Sequence, residues 1–261
     1  MPRYDFRSPR LYVDAPLTGG GGVKPDHGQA NYLLNVLRLK AGDAVLLFNG
    51  RDGEWRATLA EAGKRSVSLA IGERTRRQPA AGDLHVLFAP LKHARLDYMV
   101  QKAVELGATA LQPVLTRRTQ VARVNLDRMR ANAIEAAEQC GILTLPEIGE
   151  PVAFNAMLGS RDAKRLLIFC DEDAEVKDPV AALAAARTQS AAAMPLALLL
   201  GPEGGFAEEE RAALLQQPNM LRLALGPRIL RTDTAAVAAL ALVQAVLGDW
   251  RDAVRENGGG D

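Results

Sequence analysis

From residue 84 onward, short uninterrupted apolar runs alternate with segments of helical period. The runs 84–89, 111–115, 166–170 and 196–200, and a shorter one at 221–223, predict strands. Between and after them, 96–106, 125–140, 179–187, 207–215 and 232–247 predict helices. The last is apolar at Val237, Leu240, Val243 and Leu247, and 207–215 opens on acidic residues that suit a helix amino end. A strand that is apolar at every position is buried on both faces, so this alternation predicts an α/β domain with a parallel sheet covered by helices.

The first 75 residues carry a different pattern. Residues 11–13 predict a short strand, 19–22 (four glycines) a loose surface loop, and 27–39 a helix with Ala30, Leu33, Leu34 and Leu37 on one face. Strands are predicted at 44–48, 54–59 and 67–71, separated by turns at Asn49-Gly50, Asp52-Gly53 and Gly63-Lys64. Several short strands with one helix predict a small barrel or sandwich. The polar stretch ERTRRQPAAGD at 73–83 marks the junction. The boundaries read as a first domain at 1–75, a linker at 76–83, the α/β domain at 84–250 and a flexible tail at 251–261.

Composition adds little until it is divided along the chain. The 261 residues carry a net charge of +1, but residues 1–80 hold 13 Lys and Arg against 8 Asp and Glu, and the remainder 19 against 23. A basic first domain suits a phosphate-rich partner, although an excess of this size also occurs on ordinary solvated surface. Cys140 and Cys170 form no CxxC pair, and His27, His85 and His93 are scattered, so no metal site is expected. The start MPRYDFRSPR lacks the apolar core of a signal peptide, and no apolar run is long enough to span a bilayer. A cytoplasmic protein with no membrane or metal partner is expected.

Candidate chemistry lies at two strand ends, where open parallel sheets bind ligands. After 196–200 comes Gly201-Pro202-Glu203-Gly204-Gly205-Phe206; after 221–225 comes Gly226-Pro227-Arg228-Ile229-Leu230-Arg231-Thr232-Asp233-Thr234. Glycines let backbone approach a ligand closely, and Thr232 or Asp233 can cap the following helix. Either turn alone reads as an ordinary connection; the pair points to a binding crevice. No GxGxxG follows a strand, no GxxxxGK[ST] is present, and no Ser-His-Asp or Cys-His set is recognisable.

LLLGPEGGF followed by LGPRILRTDTA resembles the RsmE family of SPOUT-type methyltransferases. So do LKHARLDYMVQKAVELGA (91–108), AAEQC…PEI (136–148) and RLKAGDAVLLFNG (38–50), which spreads the resemblance over nearly the whole chain. The resemblance implies a small PUA-like amino-terminal barrel and a carboxyl-terminal α/β domain with a trefoil knot. It implies a homodimer that uses S-adenosylmethionine to methylate N3 of a uridine in 16S ribosomal RNA of the small subunit, at position 1498 in standard small-subunit numbering. The donor would be held by Leu200, Gly201, Pro202, Glu203, Gly204, Gly205, Leu225, Gly226, Ile229, Leu230, Arg231, Thr232 and Thr234. Uridine N3 must lose its imide proton, so Arg231 can stabilise the developing charge and Asp233 or Glu203 can accept the proton. A structural salt bridge for Arg231, a helix cap for Asp233 and bracing of its own turn for Glu203 remain the alternatives.

RNA contacts are expected from Arg10, Arg38, Lys92, Arg95, Arg117, Arg118 and Arg123, and Cys140 is expected to be a packed core thiol. The chain departs from the family pattern at three positions. Ile142 stands where Arg is usual, His93 where Gly is usual, and Asp233 where Glu is usual. Two rival functions stay open: a SPOUT-type methyltransferase acting on another RNA, and an RNA-binding ribosome assembly factor with a vestigial donor pocket.

Overall fold

The computed structural model describes residues 5, 7–62, 67–121, 123–188 and 194–250. The expected Gly63-Lys64 turn and the tail 251–261 lie outside the described residues. The chain divides into two compact units, one of residues 1–81 with 134–145, the other of 82–133 with 146–261.

The first unit holds a five-stranded sheet in the order β1-β3-β4-β5-β2, made of β1 (Arg10–Tyr12), β2 (Gly22–Val23), β3 (Ala44–Phe48), β4 (Glu54–Ala62) and β5 (Val67–Arg76). β1 runs parallel to β3; the other pairings are antiparallel. Leu11, Val23, Val45, Leu47, Leu59, Leu69 and Ile71 share one core. The β3–β4 turn forms as expected: the Asn49 side-chain oxygen accepts the N–H groups of Arg51 and Asp52 at 3.1 and 2.9 Å. Gly53 there has φ +86°, and a Cβ would lie 2.3 Å from the Arg76 carbonyl, so only glycine fits.

Three expectations for this unit are corrected. The 19–22 segment is not loose: the Gly20 N–H donates to the Ile71 carbonyl at 3.0 Å, the Ile71 N–H donates to the Gly21 carbonyl at 2.9 Å, and Gly22 begins β2. The helix 27–39 is shorter, with α1 (His27–Asn31) followed by a π-helical turn over Tyr32–Val36, and Arg38 at φ +59° ends it. Asp26 starts α1, its carboxylate accepting the Gln29 N–H at 2.8 Å. β5 continues through Arg76, so residues 73–76 are strand, because Thr75 and Arg76 both bind Glu54.

The second unit is a parallel sheet in the order β12-β10-β11-β6-β7-β8. Its strands are β6 (Leu84–Phe88), β7 (Ala110–Leu115), β8 (Glu147–Ile148), β9 (Val152–Ala153, which pairs with β7), β10 (Leu166–Cys170), β11 (Leu196–Leu200) and β12 (Met220–Leu223). Its helices are α2 (His93–Glu105), α3 (Leu126–Cys140, whose last part belongs to the first unit), α4 (Phe154–Ser160), α5 (Pro179–Thr188), α6 (Glu208–Leu215) and α7 (Thr232–Val246). β11 is buried at all five positions. Leu87, Leu167, Phe169 and Leu199 meet Phe154, Met157 and Leu214 on one face. Residues alternating with them along the strands, Val86, Ile168 and Leu198, are fully buried on the other, and α7 packs against α2, α5 and β11. Among the described residues no helix is long and apolar enough to cross a membrane.

Candidate functional site

Everything that composes this site belongs to the second unit and lies at the carboxyl edge of its sheet. β11 ends at Leu200, whose carbonyl accepts the Ala89 N–H from the end of β6 at 3.0 Å. The chain then turns at Gly201. A Cβ there would lie 2.6 Å from the Phe206 ring, which packs on Phe169 and Phe154 at centroid distances of 5.3 and 5.9 Å. Gly201 is therefore bare because the ring that anchors the far end of its loop occupies the space. Pro202 is buried, Glu203 and Gly204 are exposed, and the Gly205 N–H closes the turn onto the Pro202 carbonyl at 2.9 Å with φ +70°.

The second loop follows β12. Leu225 and Leu230 are half-buried, Ile229 is 98% exposed, and Gly226 has φ +93° with nothing within 4 Å of where a Cβ would be. Arg231, in extended conformation, is the N-cap of α7 and makes no side-chain cap. Neither Thr232 nor Asp233 caps the helix, which corrects that expectation. The buried Thr232 hydroxyl donates to the Gly201 carbonyl at 3.3 Å and so joins the two loops, and the Asp233 carboxylate accepts the neighbouring Thr234 N–H at 3.0 Å. Arg231 is exposed and has no ion-pair partner among the described residues; Thr234 is exposed beside it.

Two further strand ends reach the first loop. After β6, Lys92 is the exposed N-cap of α2, and Arg95, one turn in, is ion-paired with Glu203. His93, in the usual glycine position, has φ +21°, at the margin of the region that favours glycine. After β7, Thr116 to Thr119 form a tight turn, and the Arg118 guanidinium donates to the Gly204 carbonyl at 2.8 Å. The Arg117 N–H donates to Glu210 at 2.7 Å, and its side chain faces Glu209 at 3.3 Å. The site thus gathers Arg95, Arg117 and Arg118 of the expected RNA set. Arg123 is exposed farther along the same connection, and Arg38 is exposed in the first unit.

Arg10 does not fit the RNA set. It is 7% exposed, and its guanidinium donates to the buried Glu54 carboxylate at 2.9 Å. Cys140 is exposed rather than packed in a core, because α3 turns it outward at its last residue. Cys170, at the end of β10, is half-buried, and burial beside Asp171 pushes its thiol up to about 12.

Sequence reasoning missed Asp171, at the end of the strand between β11 and β12. Its carboxylate, 2% exposed, accepts from Arg222 of β12 at 2.7 Å and from Arg211 of α6 at 3.0 Å, bracing the elements that flank both loops. An acidic residue closing the apolar run LLIFC was the available signal. A cavity of about 380 Å³ lies at the opposite, amino edge of the sheet, lined by His85, Gln112, Glu147, Arg161 and Arg165 among others. Its cations are already engaged, Arg165 with Asp83 and Arg161 with the Pro218 and Arg165 carbonyls, so it is no part of this site.

A parallel α/β sheet carrying two joined glycine loops, with a small β domain before it, defines a class. Residues 77–244 match the RNA methyltransferase domain family, and residues 25–72 match the RNA methyltransferase PUA domain family. Ribosomal RNA small subunit methyltransferase E of Rickettsia conorii is 30% identical over 90% of this chain and 94% of its own length; that of Bacillus subtilis is 28% identical over 82% and 86%. The crystal structure of ribosomal RNA small subunit methyltransferase E from Neisseria gonorrhoeae, bound to S-adenosyl methionine, superposes with a TM-score of 0.81 at 28% identity, covering 94% of this chain and all of that one. A putative methyltransferase from Legionella pneumophila in complex with SAM gives 0.80 at 28%, covering 92% and 98%. The chain belongs to the RsmE family of RNA methyltransferases, with its PUA-like domain at the amino end.

Proposed function

We propose that this protein transfers a methyl group from S-adenosylmethionine to N3 of a uridine in 16S ribosomal RNA, the uridine at position 1498 in standard small-subunit numbering. The observation that carries the reading is the Thr232–Gly201 hydrogen bond, which unites two glycine loops into one backbone-lined cradle at the carboxyl edge of a parallel sheet. The residues present fit the donor. Gly226 leaves open space where a side chain would stand, Gly204 has only Arg118 within 4 Å of that place, and Leu225, Ile229 and Leu230 offer apolar contact beside them.

Leu200 to Gly205 and Leu225 to Leu230 hold the donor mainly through backbone, with Arg231, Thr232 and Thr234 at the entry to α7. Bound there, S-adenosylmethionine supplies a methyl group on a sulfonium, so the chain's task is to align the acceptor with it. Arg231, exposed at that entry, stabilises the negative charge that develops on the uridine carbonyl oxygens. Asp233 accepts the N3 proton directly or through water. Glu203 is the weaker acceptor because Arg95 already holds its carboxylate.

Lys92, Arg117, Arg123 and Arg38 supply phosphate contacts, with the PUA-like domain at 1–75 as the RNA-binding module ahead of the catalytic domain at 84–250. The substrate is 16S RNA, free or in the small subunit, and the protein acts in the cytoplasm. Two features support the family's remaining properties. For the trefoil knot, α7 follows the edge strand β12 and packs on α5, β11 and α2, which brings the chain's last helix back to the middle of the sheet. Val237, Ala238, Ala241 and Leu242 of α7 are only half-buried, and Ile229 stands free, as a homodimer face requires.

Mass spectrometry of 16S RNA from a strain lacking this protein tests the reading. Loss of one N3-methyluridine, restored by the intact gene but not by an Arg231→Ala variant, is the expected result. Retention of that mark refutes the substrate, and failure of the purified protein to bind S-adenosylmethionine in calorimetry refutes the enzyme.

A further inference from the structure

The peptide joining Gly204 to Gly205 is the most easily flipped link in the first loop, since neither flank carries a Cβ. It is held from both sides. Its N–H donates to the Pro202 carbonyl at 2.9 Å, and its carbonyl accepts from the Arg118 guanidinium at 2.8 Å.

Arg118 is itself fixed in place. It lies in the turn where the Thr119 N–H reaches the Thr116 carbonyl at 3.1 Å and the Thr116 N–H reaches the Thr119 hydroxyl at 2.8 Å. The Glu210 carboxylate accepts the Arg117 N–H at 2.7 Å with one oxygen and the Ala207 N–H at 2.9 Å with the other. That carboxylate ties the turn to the start of α6, the helix the glycine loop runs into. On the other side, Arg95 clasps Glu203, one residue before the same peptide.

We infer that Arg118 is a positioning residue for the methyl donor, not a phosphate contact: it locks the Gly204–Gly205 peptide in one orientation, with Arg95 and Glu203 as a weaker second clasp. This rests on the donor-site reading above. A charged donor on a backbone carbonyl is among the stronger single hydrogen bonds, and here it restrains a peptide with no steric preference of its own. Both clasps are solvent-exposed; the Arg95–Glu203 pair adds less because it holds the neighbouring side chain and not the peptide itself.

Calorimetry with S-adenosylmethionine on the full chain tests the assignment, together with binding of a 16S RNA fragment at several salt concentrations. Arg118→Ala is expected to weaken donor binding roughly tenfold, Arg118→Lys by less, and Arg95→Ala by about twofold to threefold. The melting temperature and the salt slope of RNA binding should stay at wild-type values in Arg118→Ala. A variant that keeps donor affinity within twofold of wild type, but loses RNA affinity and about one unit of salt slope, overturns the inference and makes Arg118 a phosphate contact. Equal weakening of donor binding and melting temperature also overturns it, in favour of a purely structural role. If the wild type itself binds no donor, the reading of the site fails; if wild type binds and Arg118→Ala binds equally well, this inference alone fails.

Discussion

The hydroxyl of Thr232, in the first turn of α7, donates to the carbonyl of Gly201, the first residue beyond β11, at 3.3 Å. Two loops that never meet in the sequence are joined by this single side chain. Thr232→Val preserves the shape and removes the donor, leaving a carbonyl without its partner. A loss of about 1 kcal/mol is expected, which lowers the melting temperature by roughly 2–4 °C in a chain of this size, with donor affinity falling several-fold. Thermal melts with and without S-adenosylmethionine check both. Unchanged donor affinity would mean that the two loops act separately.

The loop glycines separate into two kinds. At Gly204 a Cβ would first meet Arg118, at 3.8 Å, so the fold has room for a side chain there. Gly204→Val should therefore melt close to wild type yet lose donor binding, because the new methyl groups press on Arg118, which holds the Gly204–Gly205 peptide. Gly226 has open space but φ +93°, so Gly226→Ala carries about 1 kcal/mol of backbone strain and should lower both stability and donor affinity. Comparing the two variants by calorimetry and melting distinguishes blocking from strain.

What could be read in advance follows from what burial imposes on a sequence. β6, β10 and β11 are enclosed on both faces, which forces continuous apolar runs, and α7 must face β11 and α2, which forces its helical repeat. Two-residue strands such as β8 and β9 are too short to carry a period, and α4 buries only Phe154 and Met157. The glycine loops stood out because close approach demands glycine whatever the ligand. The side chains that hold those loops did not. Arg118 meets Gly204 from 86 residues away and Asp171 meets Arg222 across 51. An arginine looks the same in sequence whether it is solvated or engaged, which is how Arg10 of β1 and Arg118 of a turn entered one RNA set.

Arg10 and Arg123 should behave oppositely. Arg10 is enclosed with Glu54, so Arg10→Ala strips a buried carboxylate of one partner and should destabilise the protein by roughly 3 kcal/mol. The salt slope of RNA binding should not change. Arg123 is exposed, so Arg123→Ala should leave the melt unchanged and reduce the slope by about one unit. RNA titrations over a range of salt concentration, paired with urea unfolding, decide the matter. A reduced slope in Arg10→Ala would return that residue to the RNA surface.

The first unit should be sensitive to acid. Burial alone would raise the Glu54 carboxyl, but hydrogen bonds from Arg76, Thr75 and Arg10 outweigh it and hold the group below its ordinary 4.5. Asp5, accepting the Ser8 and Arg7 N–H groups, is held down to about 2 from 3.8. Both carboxyls are lower in the folded state, so the unfolded chain binds protons first on acidification. Their contribution is complete above about pH 5 and is lost as pH falls through the folded values, toward pH 2 for Asp5. Urea unfolding at pH 7, 5 and 3 should show little change over the first step and a clear loss over the second. Glu54→Gln should be less stable at pH 7 and flatter between pH 5 and pH 3.

The two cysteines give a sharper check on the placement of side chains. Cys140 is exposed at the end of α3, whereas burial beside Asp171 pushes the Cys170 thiol up to about 12. The thiolate is the reactive form, so at pH 8 the half-buried Cys170 is almost wholly protonated. The native protein should react with one equivalent of a thiol reagent, at Cys140, and with a second only after unfolding. Cys140→Ser should abolish the native reaction, and Cys170→Ser should leave it intact. Modification of Cys170 in the folded protein, located by mass spectrometry of peptides, would place β10 and Asp171 nearer solvent than they stand here. The carboxylate that braces β12 and α6 would then be exposed too, and its hold on the elements flanking both loops would weaken accordingly.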